Sequence, residues 1–570
     1  MPGTAVGRDS PHTVSAALDR FFDHYYHRRP VNATFTGMHE YDAQLPNWSR
    51  DGLEALDAEM RGLHADLSAA HPTTESARDY RDDVELLDAE LARAFLEIQL
   101  AENASTHGVR GNPALWTGEA IFSVVSLMIR EFAPLDERVR DATRRLEAIP
   151  AFLAQACETM DDRALPEAWT TRALRECEGA TILLTRGVDA WLASGAHTPA
   201  CAPPLRRASA QALESFHRLA VWLEARPVAP ERTTSCGSAL YDLLLARGHQ
   251  CMRSRADLLA DARAALADEK QRFDAMCRDS AGTWRNAREH LAAEHPAPDD
   301  YLEAFARTWT ACYERATTRD AVSWPDWPIR YVPFPECTRD AAPYLYYLYY
   351  RSPAPLDAFA TCHYVVPPLP TVDVETYLRA WNHSVIKLNH VVHHGGIGHH
   401  VQNWHAYHRA RSRIGKIAAV DCANRIGMFC AGTMAEGWAC YATELMEELE
   451  FLTPLERLSQ QHARLRFLAR AIVDIEFHQE TFTVDDAIQF YVEQAAMDAT
   501  AARAEVVKCS MFPGTAVMYW LGTQGIRDLR ARLQRERGAR FMLRTFHDEL
   551  LSYGSIPVPL IARMMTADTA

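Results

Sequence analysis

The sequence has little lysine, no closely spaced cysteine pair and no long apolar stretch. Only four of its 570 residues are lysine, and the net charge at pH 7 is −15. An acidic chain of this kind is a poor partner for nucleic acid or for an anionic membrane surface. No stretch approaches the ~18 uninterrupted apolar residues that a membrane span needs. We therefore expect neither nucleic acid nor a membrane as a partner.

The thirteen cysteines are scattered, and no two of them have the CxxC spacing that is typical of metal or redox sites. Cysteine usage of this kind is typical of reduced thiols in a cytoplasm. The N-terminal residues lack the basic region and apolar run of a signal peptide. We predict a cytoplasmic protein, either a monomer or a homodimer.

Most of the sequence has the apolar periodicity of amphipathic helices. Apolar residues recur every three or four positions in segments 14–25 and 84–98, as a buried helix face requires. The region of residues 329–366 is instead rich in proline and aromatic residues, and its best strand candidates are Ile329–Phe334 and Cys362–Val366. We predict an all-α, predominantly helical fold with a small β element in this region.

The sequence divides weakly into two halves. Helical periodicity returns at residues 378–392 and leads directly into a dense histidine run. We predict a helical N-terminal half, residues 1–320, and a helical C-terminal half, residues 321–570, that carries the candidate site. We expect the two halves to pack as one body.

The histidine run is the most unusual feature of the chain. Five of the eleven residues from His390 to His400 are histidine, in the sequence HVVHHGGIGHH. Neutral imidazole is the commonest metal ligand in proteins, so this density predicts a metal site. The run does not have the HExxH spacing of helical metalloproteases, and no carboxylate lies within it to act as a base.

The glycines of the run affect which histidines can share an ion. On an unbroken helix His393 and His400 would face the same way but lie ~10 Å apart along the axis. That separation is too large for one ion held at ~2.1 Å by each ligand. The three glycines among residues 395–398 allow the backbone to bend. A kink there would bring His393 and His399 together.

The third ligand should be a carboxylate from another helix. Glu436, in the run EGWACYATEL, follows an apolar stretch and is the best candidate. A catalytic zinc site has three protein ligands and one open position. Two histidines and a carboxylate with open positions also suit Fe2+. We therefore expect Zn2+ as the first choice and Fe2+ as the second.

Six segments match the signatures of one known family, in the family's order. Residues 393–402, HHGGIGHHVQ, are similar to HExxPGHHxQ, and Glu436–Thr443, EGWACYAT, is similar to EGWALYxE. The other four matching segments are Pro30–Asp42, Arg470–His478, Pro513–Gly522 and Phe546–Pro557. Together they resemble a bacterial family that is labelled domain of unknown function 885.

The resemblance implies a fold and a ligand set. The family looks like a distant relative of the helical zinc carboxypeptidases and oligopeptidases, which implies a zincin-like metallopeptidase frame. It implies His393, His399 and Glu436 as metal ligands, with His400 as the reserve ligand. The matches extend over nearly the whole chain.

The departures from the family signatures concentrate at the site. The water-activating Glu that follows the first His in the family is His394 here, whereas every candidate ligand is kept. His394 could act as a general base, since its ordinary pKa of ~6.5 suits proton transfer near neutrality. Bound to the metal as a fourth ligand, it would instead close the site and suppress water activation. The sequence leaves both roles open.

Three further residues are candidate catalytic residues, each with a structural alternative. Tyr519 could donate a hydrogen bond to an oxyanion beside the metal, or it could be a buried structural tyrosine. His478 lies four residues after Asp474, a spacing that lets a carboxylate orient an imidazole or simply join two core residues. Arg470 could hold a substrate carboxylate or pair with Asp474.

Retained ligands with a replaced base indicate changed chemistry. We expect a metal-dependent enzyme that performs proton-transfer chemistry, as a lyase, cyclase, dehydratase or hydrolase, on a small or biosynthetic substrate. One alternative is an authentic zinc-dependent peptidase or amide hydrolase in which His394 is the base. Another is a non-catalytic binding protein that contains a metal.

Overall fold

A computed structural model describes most of the chain. The described residues are 13–70, 77–196, 199–345, 349–358, 361–423 and 425–566. The N-terminal segment for which we predict no signal peptide lies largely outside these ranges. All thirteen cysteines lie within them, and all are free thiols. Among the described residues, no helix is long and apolar enough to cross a membrane.

The protein is predominantly helical, as predicted. The α-helices up to residue 320 are Val14–Arg28, Pro30–Thr36, Arg50–Ala70, Ala77–Asp82, Val84–Ala104, Pro113–Met128, Leu135–Met160, Glu167–Ile182, Val188–Ala193, Ala202–Glu224, Gly237–Leu243, Arg255–Ser280, Trp284–Ala293 and Tyr301–Thr318. The later α-helices are Glu336–Arg339, Val374–Ala380, His383–Val385, His399–Arg409, Arg413–Ile417, Gly432–Glu448, Pro454–His478, Val484–Ala495, Ala499–Met511, Met518–Arg537, Leu543–Ser552 and Val558–Thr566.

Shorter helical turns connect several of these helices. Three segments have the wider turns of a π-helix: Leu183–Gly187, Leu244–Gly248 and Ile386–Gly395. The 3-10 turns are His39–Tyr41, Glu231–Thr234, Pro298–Asp300, Ala342–Tyr344, Phe429–Ala431 and Gly538–Arg540.

The small β element is confirmed. Strand β1 is Ile329–Pro333, β2 is Tyr350–Arg351 and β3 is Cys362–Val366. They form one sheet in the order β1-β3-β2, with β1 parallel and β2 antiparallel to β3. Tyr364 of β3 is fully buried, and its hydroxyl is hydrogen-bonded to Nδ1 of His390. The sheet therefore packs against the helical segment that carries the histidine run.

The amphipathic helices bury the faces that their periodicity predicts. In the helix Val14–Arg28 the buried side chains include Leu18 and Phe21, and in Val84–Ala104 they include Leu91. One apolar core cluster contains residues from both sides of position 320. The candidate site is therefore supported by side chains from both halves of the chain.

The N-terminal signature segment is held in place by a histidine between two carboxylates. Nδ1 of His39 lies 2.8 Å from Asp42, and Nε2 lies 2.8 Å from Asp357, whose segment is distant in sequence. Carboxylate oxygens only accept, so both ring nitrogens donate and the imidazole is charged. Burial lowers the pKa of His39, but the hydrogen bonds to Asp357 and Asp42 outweigh it and raise the pKa to about 9.

We expect this contact to make the protein less stable in mild alkali. Because the folded-state pKa lies above the ordinary value, the contribution of His39 is complete below pH ~6.5 and is lost as the pH rises to about 9. The expected loss is on the order of 2 kcal/mol of unfolding free energy. Urea midpoints of the wild type and of His39→Gln should differ at pH 6 and converge near pH 9.5. A midpoint difference that is independent of pH would contradict the charged contact.

Candidate metal centre

The histidine run forms a wide helical turn and then a sharp bend. The sequence periodicity predicts an ordinary helix over 378–392, but the chain has π-helical turns from Ile386 to Gly395. The amide of Gly398 donates to the carbonyl of Val392 at 2.9 Å, and the helix His399–Arg409 begins at the next residue. The kink expected from the glycines is therefore present. It places His393 and His399 side by side, with ring centroids 4.9 Å apart.

The glycines of this bend lie very close to other atoms of the protein. A Cβ atom at Gly398 would lie 1.9 Å from the carbonyl oxygen of His393. A Cβ atom at Gly395 would lie 2.5 Å from the hydroxyl of Tyr331. The contact at Gly398 is with backbone, so only glycine fits there, whereas a side chain at Gly395 would require Tyr331 to move.

The second signature fixes the bend from another helix. Trp438, in the helix Gly432–Glu448, donates from Nε1 to the carbonyl of Ile397 at 2.9 Å. The preceding residue, Gly437, lies against Gly522 of the neighbouring helix, where a Cβ atom would be 2.5 Å from backbone atoms. The glycines of two signatures thus let two helices approach closely, and Trp438, next to one of these glycines, holds the histidine bend.

The same helix brings Glu436 to the two histidines. Its Oε2 lies 3.4 Å from Nε2 of His393 and 4.0 Å from Nε2 of His399. Ligands held at ~2.1 Å around one ion are about 3 Å apart when adjacent and about 4.2 Å apart when opposite. Small side-chain movements would therefore let the three residues hold a single cation. Two imidazoles and a carboxylate suit Zn2+ and Fe2+.

His394 belongs to the same group of donors. His393, His394 and His399 each offer one ligand nitrogen, and these atoms lie within 4.8 Å of one another. Nδ1 of His394 donates to the backbone carbonyl of Asn389 at 2.6 Å. In the neutral imidazole this leaves the lone pair on Nε2. Burial and the charges of His393 and His399 hold the pKa of His394 well below its ordinary value.

Hydrogen bonds also orient His399. Its Nδ1 lies 3.2 Å from Oε1 of Gln402, and Nε2 of Gln402 donates in turn to Ser555 at 3.1 Å. Outer contacts of this kind fix the ring orientation of metal-binding histidines. They leave Nε2 of His399 facing Glu436.

The carboxylate of Glu436 is ionised. Burial raises its pKa, but the hydrogen bond with His393 and the charges of His399, His393 and Lys508 outweigh burial and hold the pKa far below its ordinary value. An ionised carboxylate is the form that binds a cation.

A large cavity adjoins these residues. It has a volume of about 690 Å³, and His394, His399 and Glu436 form part of its wall. The walls also contain Lys508 and Asp421. Desolvation and the negative charge of Glu436 raise the pKa of Asp421 to about 7, so this carboxyl can gain or lose a proton near neutrality.

Arg470 and Tyr519 both line the cavity, where sequence reasoning gives them catalytic roles. The guanidinium of Arg470 does not pair with Asp474; it donates from Nε to Glu505 at 2.9 Å and lies over the Tyr519 ring. Burial raises the pKa of Glu505, but the charge of Arg470 outweighs it and lowers the pKa to about 2. Because this ion pair already engages the guanidinium, Arg470 is less available to a substrate carboxylate than the sequence suggests.

His478 lies outside the cavity wall and is fully buried. Its Nε2 donates to the carbonyl of Cys509, and its Nδ1 accepts from the amide of Cys236. Asp474 accepts from the amides of Gly514, Ala516 and Val517. The ligand atoms of Asp474, His478 and Cys509 lie close enough together to hold a metal ion. Both nitrogens of His478 already have hydrogen-bond partners, however, so the structure indicates a structural role for this group.

His400, the reserve ligand, is also separate from the group of three histidines. It is fully buried, and its Nδ1 is hydrogen-bonded to the hydroxyl of Tyr350 at 3.1 Å. Burial lowers its pKa to about 4. The structure thus brings His393, His399 and Glu436 together and leaves His400 behind Tyr350, which itself lines the cavity.

Sequence reasoning missed Asp421 and Lys508. Asp421 lies in an irregular loop between Ile417 and Phe429, outside every signature, so no pattern indicates it. Lys508 does carry a signal, since it is one of only four lysines in the chain.

The comparisons with known proteins agree with this architecture. A family model described as "Bacterial protein of unknown function (DUF885)" matches residues 30–565. The chain belongs to this family. The DUF885 match covers both signatures that form the site and the N-terminal segment around His39. No curated protein matches the chain.

Two solved structures share the fold. A protein of unknown function from Shewanella oneidensis, provisionally designated a lipoprotein, has a TM-score of 0.74 and 20% identity, with 97% of this chain and 99% of that chain covered. A protein from Colwellia psychrerythraea with the same designation has a TM-score of 0.74 and 16% identity, with 98% and 100% covered. At these identities the likeness concerns the fold alone.

Proposed function

We propose that this DUF885 protein is a metal-dependent enzyme that carries out proton-transfer chemistry on a small or biosynthetic substrate. The observation that carries the proposal is the convergence of His393, His399 and Glu436 at the wall of a cavity. A volume of about 690 Å³ lies in the range of small-molecule sites, ~300–1,000 Å³. The zincin-like frame belongs to this proposal and rests on the matching signatures.

We propose different roles for the residues of the site. His393, His399 and Glu436 would hold Zn2+ or Fe2+, and the bound cation would act as a Lewis acid toward a substrate oxygen. Asp421 lines the same cavity, and its carboxyl group would be the proton-transfer group there. Lys508 contributes positive charge to the same wall, which favours a substrate with an anionic group.

The reaction class follows from the replaced base. The family's Glu next to the first ligand is His394, so the site differs from a peptidase at the group that activates water. Lyase, cyclase, dehydratase and hydrolase chemistry can all be assisted by a Lewis acid and a proton-transfer group, which a metal held by His393, His399 and Glu436 and the carboxyl group of Asp421 would supply. A location in the cytoplasm remains our prediction, supported by the thirteen free thiols.

Elemental analysis of protein purified without chelator tests the metal. We expect about one equivalent of a divalent transition metal in the wild type. Glu436→Gln should weaken metal affinity about 100-fold or more, since even contacts to ligands contribute 10–100-fold. Glu448→Gln is the matched control, because Glu448 lies at the end of the same helix and pairs with Arg530 at the surface.

The same preparations distinguish the alternatives. A wild type that holds no metal, or a Glu436→Gln variant that holds as much as the wild type, would contradict the proposal. Release of amino acids from peptides that a chelator abolishes would favour the peptidase alternative. Tight metal without any turnover of small substrates would favour a binding protein.

A further inference from the structure

We propose that His394 is a fourth protein ligand of the metal, so that the centre consists of three histidines and one glutamate. The inference rests on the proposed function, because it concerns the same cation. It assigns His394 to the metal and excludes it as the base that replaces the family's glutamate. It also means that the metal must accept more than four ligands if a substrate is to bind to it.

The spacing of the three imidazole rings supports this assignment. The ring centroids are 4.7 Å apart for His393 and His394, 4.9 Å for His393 and His399, and 5.4 Å for His394 and His399. Imidazoles bound at ~2.1 Å place their ring centres about 3.2 Å from the ion, which gives about 4.5 Å between centres at right angles and about 5.2 Å at a tetrahedral angle. The distances from His394 to the two ligands, 4.7 Å and 5.4 Å, thus bracket the 4.9 Å between the ligands themselves.

A base that acts through a water molecule would lie farther away. A water between the ion and the imidazole adds about 2.8 Å, the length of one hydrogen bond, to the distance from the ion. The ring centre of such a base would then lie about 5–6 Å from the ion, compared with about 3.2 Å for the ring centre of a ligand. The separations of His394 from the other two rings, 4.7 Å and 5.4 Å, are those of imidazoles bound directly to one ion.

The orientation of His394 matches that of a ligand. Its Nδ1 donates to the carbonyl of Asn389, as ligating histidines commonly donate to a backbone carbonyl. The π-helical turns from Ile386 to Gly395 widen the helix at this point. His393 and His394 are adjacent in sequence and would point about 100° apart on an ordinary helix. The irregular backbone lets both rings approach the same point.

With a fourth protein ligand, a four-coordinate zinc ion would have no open position at which a substrate could react. Zinc with four protein ligands is closed and structural, whereas an enzyme needs an open position. Because the cavity reaches His394, His399 and Glu436, a substrate would approach the cation directly. The donor set therefore points to a metal that accepts five or six ligands, such as Fe2+, with at least one position for the substrate.

Cobalt binding tests the assignment without any knowledge of the substrate. Apoprotein would be titrated with Co2+ while its visible absorption is recorded. We expect the weak absorption of five- or six-coordinate Co2+ in the wild type and a 10–100-fold weaker affinity in His394→Gly. Added imidazole should restore the affinity and the spectrum of His394→Gly. His408→Ala is the matched control, since this exposed histidine lies on the next helix.

The outcomes separate this inference from the proposed function. If His394→Gly binds Co2+ like the wild type while Glu436→Gln does not, His394 is no ligand and the metal enzyme stands. An intense spectrum typical of tetrahedral Co2+ in the wild type would show that the metal is four-coordinate and would contradict the open position for the substrate. A wild type that binds no Co2+ at all would overturn both. A folded state of each variant is verified by its circular dichroism.

Discussion

Replacing Gly398 with alanine is expected to abolish metal binding and to lower the free energy of unfolding by about 3 kcal/mol or more. The new Cβ would lie 1.9 Å from the carbonyl oxygen of His393 and 2.8 Å from that of Val392. Both neighbours are backbone atoms of the histidine run, so relief of the clash must move His393. Movement also breaks the hydrogen bond from the Gly398 amide to Val392.

Elemental analysis and urea midpoints measure the two effects of Gly398→Ala. Gly62→Ala is the control, because a Cβ at Gly62 meets no atom within 4 Å and the residue lies inside a helix. There we expect a gain of ~0.5–1 kcal/mol, since alanine has the higher helix propensity. A Gly398→Ala variant that keeps its metal and its urea midpoint would show that the bend is not needed for the site.

Replacing Arg145 with methionine is expected to destabilise the protein by about 4 kcal/mol. The buried guanidinium donates to the carbonyls of Gln44, Ser123, Pro30 and Tyr41 and to the hydroxyls of Ser126 and Thr34. Each acceptor left unsatisfied in the core costs ~1–3 kcal/mol. Methionine fills much of the volume but supplies no donor, so the loss concerns hydrogen bonds more than packing.

Arg145 secures the N-terminal signature, which lies far from the metal ligands in sequence. Arg144→Met is the matched control, since Arg144 is 66% exposed and its ion pair with Asp141 spans 3.7 Å. We expect the control to change the unfolding free energy by less than ~1 kcal/mol. Equal urea midpoints for Arg145→Met and Arg144→Met would contradict the role of Arg145. If Arg145→Met is destabilised but still binds the metal, the N-terminal signature contributes to stability and is not needed for metal binding.

Several features of the fold follow from local patterns. The strands at residues 329–333 and 362–366 were predictable because β-branched and aromatic residues are bounded there by prolines. The bend at Gly398 was predictable because glycine lets the backbone bend where other residues would continue the helix. The π-helical turns before it were not predictable, since helical periodicity does not distinguish an i+4 from an i+5 hydrogen-bond pattern over so few residues.

The sequence by itself determined the helical class, the small sheet, the kink in the histidine run and the choice of Glu436 as the partner of His393 and His399. These depend on local spacing and on signatures that a single chain displays. Only the tertiary structure decided which side chains face the cavity. In the structure, Asp421 and Lys508 line the cavity, and Arg470 pairs with Glu505. Both nitrogens of His478 have hydrogen-bond partners. Such contacts join residues distant in sequence, and no local periodicity encodes which of them meet.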